Sequence, residues 1–342
     1  MTSTDPQRDR LGREEWARFW ARGTVTTFEG HFSGNYDQEI AEFWHQALEP
    51  LEDGACVVDL ATGNGAVALL MAAWARTQNR SLAITGVDYA EVDPEQVRAA
   101  RPELAADLDA ITLIGGTPLE ATTLDAGSVD LVSSQYGYEY GDTAAGSREI
   151  ARILRPGGSL AMILHHSDSA ILQQAQEGLA QLDFCINKTD FVRLGQRMAK
   201  LFRGLKPGGT GPGKLHWSPG AIKIRESLLD TAERVQKRGE TPTARATDAG
   251  FIEFLLPSVM QIVERSRQTD DASLARVWAN LLAEVETYRL RMADLTSAAV
   301  DADGLEKIVD ELKAVAIGDA RVRPLYYRGT TLLGWALTAV RA

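Results

Sequence analysis

The sequence of 342 residues predicts an α/β fold, in which a doubly wound parallel sheet ends in an antiparallel C-terminal hairpin and carries a helical insertion. Three observations predict this fold. Apolar strands at 57–60 and 82–87 are separated by a glycine turn and an apolar helix. The segment 167–318 shows apolar residues at helical spacing without further strands. Strand character then returns in 320–340 around an Arg-Gly-Thr turn.

The first strand runs into a nucleotide-binding turn with the sequence Val57-Val-Asp-Leu-Ala-Thr-Gly-Asn-Gly-Ala-Val-Ala-Leu69. Gly63 and Gly65 lack a Cβ atom, so the chain can turn sharply and a ligand can approach the backbone. Asp59 ends the strand, where its carboxylate can orient the turn or accept hydrogen bonds from a cationic group such as an ammonium. Asp88 ends the second strand and suits the two hydroxyls of a ribose.

The order of strand, turn, helix and acidic strand end resembles motif I and the following acidic position of class I S-adenosylmethionine-dependent methyltransferases. Two more segments extend the resemblance over about residues 40–165. Residues 125–135 are similar to the fourth strand of the family, and Arg-Pro-Gly-Gly at 155–158 resembles the turn into its fifth. The resemblance implies a Rossmann-like, seven-stranded methyltransferase sheet, with S-adenosyl-L-methionine as the cofactor.

The resemblance also implies cofactor-binding roles at the matching positions. Asp59 and the backbone of the turn would surround the methionine part, Asp88 would bind the ribose, and Tyr89 would lie against the adenine. Gln135, at the end of the fourth strand, is a further candidate. The predicted cofactor-binding residues are thus Asp59, Ala61, Gly63, Gly65, Asp88, Tyr89, Thr117 and Gln135.

Two of these positions depart from the family pattern. Ala61 replaces the first glycine of the loop, and we expect a mild effect because alanine fits most backbone conformations other than positive φ. The stretch from Gly115 to Leu119 lacks the aspartate that many relatives place near the adenine amine. The backbone or Thr117 would then make that contact.

A dinucleotide site is the rival interpretation of the turn. Gly63-Asn-Gly65-Ala-Val-Ala68 satisfies the pattern G-x-G-x-x-A, and Asp88 lies near the expected offset. Asp59 has no evident role beside a pyrophosphate, however, and this interpretation leaves the Arg-Pro-Gly-Gly turn unexplained. These two features favour S-adenosylmethionine.

Composition argues against several other classes of protein. The net charge of −11 opposes general binding to polyanions, so no nucleic-acid partner is expected. Cys56 and Cys185 are too few for a disulfide framework or a thiolate metal cluster. The N-terminal residues are polar, and the longest apolar run, 66–75, is too short to cross a bilayer. We therefore expect a cytoplasmic protein without a membrane partner.

Residues 1–50 form a predicted N-terminal helical lid. The helix at 13–21 carries three aromatic residues, and a Gly-rich aromatic segment and a second helix follow it. Rings in that segment could close over a sulfonium and stabilise its positive charge. Alternatively, they only fasten the N-terminal helices to the core. The lid residues in question are Phe28, His31, Phe32 and Tyr36.

The remaining domain boundaries follow from these predicted strands and helices. The cofactor domain would comprise residues 51–166 and 319–342, and residues 167–318 would form a helical insertion that caps the substrate. The clearest apolar stripe in the insertion is Leu274, Val277, Trp278, Leu281, Leu282, Val285 and Tyr288. An exposed stripe there would serve either as a face for homo-oligomer formation or as a lid.

The chemistry is expected where the fourth and fifth strands end, because ligands of open α/β sheets collect at the carboxyl ends of strands. The fourth strand ends in Ser134-Gln-Tyr-Gly-Tyr-Glu-Tyr140 and the fifth in His165-His166. We predict Gln135, Tyr136 and His165 as catalytic residues, with Glu139 and His166 near the substrate. No carboxylate or third histidine lies nearby at ligand spacing, so no metal is predicted.

The sequence therefore predicts methyl transfer from S-adenosylmethionine to an oxygen or nitrogen of a small organic molecule. In-line displacement mainly requires alignment of the acceptor and exclusion of water. Two alternatives stay open. One is methylation of a peptide or protein side chain, and the other is a regulatory module that binds the cofactor without catalysis.

Overall fold

A computed structural model describes residues 11–27, 34–204, 217–247 and 249–342. These residues form two compact units. The first contains the chain up to Leu172 together with Asp294–Ala342, and the second comprises Gln173–Ala293. The helical unit is therefore narrower than the insertion expected at 167–318.

The first unit is built on a seven-stranded sheet of order β3-β2-β1-β4-β5-β7-β6. Strands β1 to β5 pair in parallel, whereas β7 runs antiparallel to both β5 and β6. The predicted sheet with its antiparallel C-terminal hairpin is thus confirmed. The strands are β1 (Ala55–Leu60), β2 (Leu82–Val87), β3 (Ile111–Ile114), β4 (Val129–Gln135), β5 (Leu154–His165), β6 (Ile317–Tyr327) and β7 (Thr331–Arg341).

Helices lie before β1, between β1 and β2, between β2 and β3, and between β4 and β5, and several more follow one another between β5 and β6. They are α1 (Arg13–Trp20), α2 (Gln38–Leu48), α3 (Ala66–Thr77), α4 (Pro94–Ala100), α5 (Ala105–Leu108), α6 (Thr143–Ile153), α7 (Ala170–Asp183), α8 (Phe191–Gly204), α9 (Pro219–Gly239), α10 (Pro242–Thr247), α11 (Phe251–Arg265), α12 (Asp271–Ala298) and α13 (Ala302–Ala314). Short 3₁₀ turns cover Pro102–Leu104, Tyr138–Tyr140 and Ser266–Gln268, and a π-helical turn covers Phe184–Lys188.

Apolar side chains cover both faces of the sheet, because successive residues of a strand point to opposite faces. Val57 belongs to the cluster formed with α2 and α3, and its neighbour Val58 belongs to the cluster formed with α6 and α13. Strand order reverses between β1 and β4, so the carboxyl ends of these strands flank the crevice where such sheets bind ligands.

The second unit has a core of its own, made by α8, α9, α11 and α12. Of the predicted stripe on α12, Leu274, Trp278, Leu281 and Val285 are buried, but Val277 and Leu282 are about two-fifths exposed. The prediction was too broad at these two positions because a surface helix buries only one face. Within the described residues, no helix is long and apolar enough to span a membrane.

Candidate functional site

A cavity of about 360 Å³ lies in the first unit at the carboxyl ends of β1, β2 and β4. Its volume is in the range of small-molecule binding sites. The turn after β1, the acidic end of β2, the end of β4 and helix α1 all contribute to its lining. Lining residues include Trp16, Trp20, Tyr36, Asp59, Ala61, Asp88, Tyr89, Glu120, Gln135, Tyr136, Tyr140 and Asp294.

The turn after β1 has left-handed backbone at three residues. Gly63 and Gly65 have φ angles of 54° and 85°, which glycine adopts without steric cost. Ala61 has a φ angle of 53°. Our expectation that alanine is a mild change at this position was therefore wrong, since the turn requires the positive φ that disfavours a Cβ atom.

Two buried carboxylates hold this turn. Asp59 accepts hydrogen bonds from the Thr62 hydroxyl at 2.6 Å and the Ser133 hydroxyl at 2.8 Å. Asp88 accepts from the backbone N–H of Gly63 at 2.6 Å and of Ala90 at 2.8 Å. Asp88 thereby fixes the end of β2 to the turn after β1, a contact between residues 25 positions apart.

Burial raises the pKa of both carboxylates. The pKa of Asp59 is raised to about 7 and that of Asp88 to about 6, although hydrogen bonds to each partly oppose the shift. The cause is desolvation, which disfavours a buried negative charge. A cationic ligand in the cavity would supply the missing compensation.

Helix α1 lies over the turn. Trp16 and Trp20 line the cavity, and the space beside the Cα atom of Gly63 is filled by the Trp20 ring. The Asn64 side chain ties the N-terminal segment to the turn by donating to the carbonyls of Trp20 at 2.9 Å and Thr24 at 2.7 Å. Sequence inspection overlooked Asn64 because it occupies a variable position of the glycine pattern.

Of the four residues predicted for the lid, the structure describes only Tyr36. Tyr36 lines the cavity, and its hydroxyl lies beside the Gln135 amide. Phe28, His31 and Phe32 lie outside the described residues.

Comparison with known proteins identifies the domain around this site. A family model described as a methyltransferase domain matches residues 57–158, which contain the turn, both acidic strand ends and β4. Residues 57–158 of this chain are thus similar to a methyltransferase domain. The resemblance noted from the sequence is thereby confirmed, and the match covers the core of the cavity.

Curated relatives match parts of this chain. A dimethylglycine N-methyltransferase from Parasynechococcus marenigrum (strain WH8102) is 32% identical over 111 residues, which are 32% of this chain and 37% of that protein. An uncharacterized methyltransferase from Mycobacterium tuberculosis (strain ATCC 25618 / H37Rv) is 30% identical over 144 residues, or 42% and 54% of the two chains. The chain thus spans about a third to a half of the length of these relatives.

Among solved structures, a geranyl diphosphate methyltransferase in complex with GPP and sinefungin is similar to part of this chain. The alignment has a TM-score of 0.36 and 21% identity, and it covers 45% of this chain and 66% of that one.

The end of β4 brings two of the predicted catalytic residues, Gln135 and Tyr136, to the cavity. Gln135 accepts a hydrogen bond from the Trp44 indole at 2.7 Å, while its Nε2 atom is buried without a partner in the described structure. Tyr136 has a φ angle of 55°, and its ring stacks on the His165 ring with centroids 4.3 Å apart. A left-handed tyrosine is strained, so the surrounding contacts hold it in place.

The other predicted catalytic and substrate residues lie away from the cavity wall. His165 is buried behind Tyr136, and burial lowers its pKa to about 3, so the imidazole is neutral. Glu139 is also buried and accepts a hydrogen bond from the His165 backbone N–H at 2.7 Å. His166 points to the opposite face, where it stacks on Trp335 with centroids 4.1 Å apart. These positions favour supporting roles over contact with a substrate.

Tyr89, which follows the end of β2, lines the cavity and is half exposed. Thr117 does not line the cavity. Its backbone N–H donates to the Asp88 carbonyl at 2.8 Å, and the cavity wall continues with Pro118 and Leu119. The described residues contain no cluster of three histidine, cysteine or acidic side chains that could hold a metal ion.

The strained turn depends on Gly137, which follows Tyr136. A Cβ atom on Gly137 would overlap the methyl group of Ala61. We expect Gly137→Ala to lower the free energy of unfolding by about 1–3 kcal/mol through overpacking. The double variant with Ala61→Gly should recover most of this loss, as measured by chemical denaturation.

Gly318→Ala is the matched control, because no heavy atom lies within 4 Å of the added methyl group. Equal destabilisation by Gly137→Ala with and without Ala61→Gly would contradict the proposed packing of these two residues.

Proposed function

We propose that this chain is an S-adenosylmethionine-dependent methyltransferase that acts on an oxygen or nitrogen of a small organic molecule. The observation that carries the proposal is a pair of buried carboxylates beside a left-handed glycine turn that opens on a cavity: Asp59 precedes the turn, and Asp88, at the end of β2, accepts a hydrogen bond from its Gly63 N–H. A dinucleotide would bring a pyrophosphate to this turn, where the Asp59 carboxylate would repel it.

The residues present fit this cofactor. The Asp59 carboxylate would compensate the positive charge of the methionine part, and Asp88 would accept hydrogen bonds from the ribose hydroxyls. The unpartnered Nε2 atom of Gln135 is a donor for the cofactor carboxylate. Tyr89 would lie against the adenine. When bound, S-adenosylmethionine supplies an electrophilic methyl group on a sulfonium.

The protein contributes alignment and exclusion of water. Helix α1 covers the glycine turn with Trp16 and Trp20, and cation–π attraction to such rings favours a positive centre. Tyr136 and Gln135 would position the acceptor. Burial raises the pKa of Tyr136 well above its usual range, so its hydroxyl stays protonated and acts through hydrogen bonds. His165 and Glu139 would hold Tyr136 in position from behind.

The size of the cavity supports a small acceptor, because about 360 Å³ must hold the cofactor as well and leaves little room for a second ligand. The name of one relative, dimethylglycine N-methyltransferase, supports nitrogen as the atom that receives the methyl group.

Calorimetric titration of the full chain with S-adenosylmethionine, S-adenosylhomocysteine and NADH tests the proposal. We expect micromolar affinity for the first two ligands and no binding of NADH. Binding of NADH alone would make the chain a dinucleotide protein and overturn the proposal. Turnover to S-adenosylhomocysteine with any acceptor would in addition exclude a regulatory module without catalysis.

A further inference from the structure

Polar side chains of β1 and β4 share one face of the sheet at the cavity. Asp59 pairs with Ser133 in the parallel register of these strands, and the Ser133 hydroxyl donates to the Asp59 carboxylate at 2.8 Å. Gln135 lies two residues further along β4, so its side chain points to the same face as that of Ser133. Two residues of a strand span about 7 Å. Asp59 and Gln135, which both line the cavity, are thus close enough to bind one small ligand group together.

The Gln135 amide has only one orientation that satisfies its neighbour. Trp44 on α2 is fully buried, and its indole N–H donates to Oε1 of Gln135 at 2.7 Å. An indole nitrogen is a donor only, so the amide oxygen must face Trp44 and the amide nitrogen must face away from it. The opposite orientation would set two donors against each other and leave a buried indole N–H without an acceptor, which is costly.

Helix α2 holds Trp44 in a fixed place. The carboxylate of Glu39, in the first turn of this helix, accepts hydrogen bonds from the backbone N–H groups of Arg328 at 2.9 Å and Gly329 at 3.2 Å. These contacts tie α2 to the turn between β6 and β7. Trp44 therefore reaches Gln135 from a helix that the sheet itself anchors.

The amide nitrogen of Gln135 is available to a ligand. It is buried and makes no hydrogen bond to another described residue. Of the buried side-chain atoms that lack a partner in the described part of the chain, this nitrogen is the one that belongs to a residue of the cavity wall. The described residues of that wall include no lysine, arginine or histidine. An anionic group in the cavity would therefore depend on uncharged donors such as this amide.

We propose that Trp44 is a positioning residue, which holds the Gln135 amide as a donor and thereby selects ligands that carry a carboxylate beside the ammonium bound by Asp59. The inference rests on the proposed function and adds the residue that makes the site specific for the amino-acid end of the cofactor. An amino acid carries its ammonium and its carboxylate on one carbon atom, so a carboxylate and an amide donor on one face of the sheet match it. With the amide reversed, its oxygen would repel the ligand carboxylate.

The test is calorimetry of the full chain with three ligands that share the nucleoside and the sulfur atom. S-adenosylhomocysteine carries the ammonium and the carboxylate, S-adenosyl-3-thiopropylamine keeps only the ammonium, and 5′-methylthioadenosine has neither. We expect the wild type to bind S-adenosylhomocysteine at least roughly tenfold more tightly than the thiopropylamine, because hydrogen bonds to charged groups are strong.

Trp44→Phe removes the indole N–H and keeps an aromatic ring in the core. We expect the preference for the carboxylate to fall at least roughly fivefold, while 5′-methylthioadenosine binds as in wild type. Trp335→Phe is the matched control. It also removes an indole hydrogen bond, which Trp335 donates to the Val300 carbonyl at 3.0 Å, but Trp335 does not line the cavity. This control should leave all three affinities unchanged.

Gln135→Met tests the same donor without a change in the core, because it keeps the length of the side chain and removes both N–H groups. It should reduce the preference for the carboxylate as much as Trp44→Phe does. Retention of the preference by either variant, or an equal loss of all three ligands in Trp44→Phe, would overturn the inference. Failure of the wild type to bind S-adenosylhomocysteine would instead contradict the proposed function.

Discussion

Asp88→Ala should weaken S-adenosylmethionine binding by about 100-fold or more. The carboxylate is expected to accept two hydrogen bonds from the ribose, and a hydrogen bond to a charged group contributes roughly 1.5–3 kcal/mol. The substitution also leaves the N–H groups of Gly63 and Ala90 without their acceptor, so the turn loses its anchor. Calorimetric titration of wild type and variant measures the effect.

A folded but inactive site must be distinguished from an unfolded protein. The far-UV spectrum and the thermal midpoint of Asp88→Ala should therefore be recorded with the affinity. Asp303→Ala removes an exposed carboxylate from α13 and should leave the affinity unchanged. An Asp88→Ala variant that is folded and binds as tightly as wild type would show that the ribose lies elsewhere.

Cofactor affinity should rise at least roughly tenfold between pH 5.5 and pH 7.5. Burial raises the pKa of Asp59 to about 7 and of Asp88 to about 6, so at pH 5.5 both groups are largely protonated in the free protein. A positively charged ligand favours the ionised forms, and binding below pH 7 must release protons. Each released proton changes the affinity by at most tenfold per pH unit.

Calorimetric titration in buffers with different ionisation enthalpies directly measures the number of protons released when the cofactor binds. More than half a proton should be released per ligand at pH 6, and less at pH 8. Asp59→Asn should make cofactor affinity less dependent on pH near neutral pH. Affinity that is constant over this range, or higher at pH 5.5, would contradict the role of these carboxylates.

The raised pKa values of Asp59 and Asp88 also determine how the free energy of unfolding changes with pH in the absence of ligand. The ordinary pKa of an aspartate, as in the unfolded chain, is 3.8, so between about pH 4 and pH 7 the folded protein retains protons that the unfolded chain has lost. These two groups therefore lower the free energy of unfolding as pH rises through that range.

The cofactor half of the site was predictable because its signals are local in sequence. Gly63, Gly65 and Asp59 lie within one turn, and the alternation of strands and helices places Asp88 beside them. The conformation of Ala61 was not predictable in this way. Ala61 has a positive φ and packs closely against Gly137, which is 76 positions away and joins the turn only in the folded sheet.

The acceptor half depended on contacts between distant segments. Asp294 lines the cavity, but in the sequence it is one polar residue among many on a long helix. Its contact with Leu11 spans 283 positions. The His165-His166 pair required the fold to decide which ring faces Tyr136, since neighbours on a strand point to opposite faces. The sequence predicts this chemistry at the ends of β4 and β5, but it does not separate side chains that line the cavity from those that lie behind them.

A crystal structure of the full chain with S-adenosylhomocysteine tests the central claim most directly. The account predicts the nucleoside in the cavity under α1, with the ribose hydroxyls within hydrogen-bond distance of Asp88 and the amino group of the ligand near Asp59. A nucleoside bound outside this cavity, or a ribose without contact to Asp88, would contradict the account.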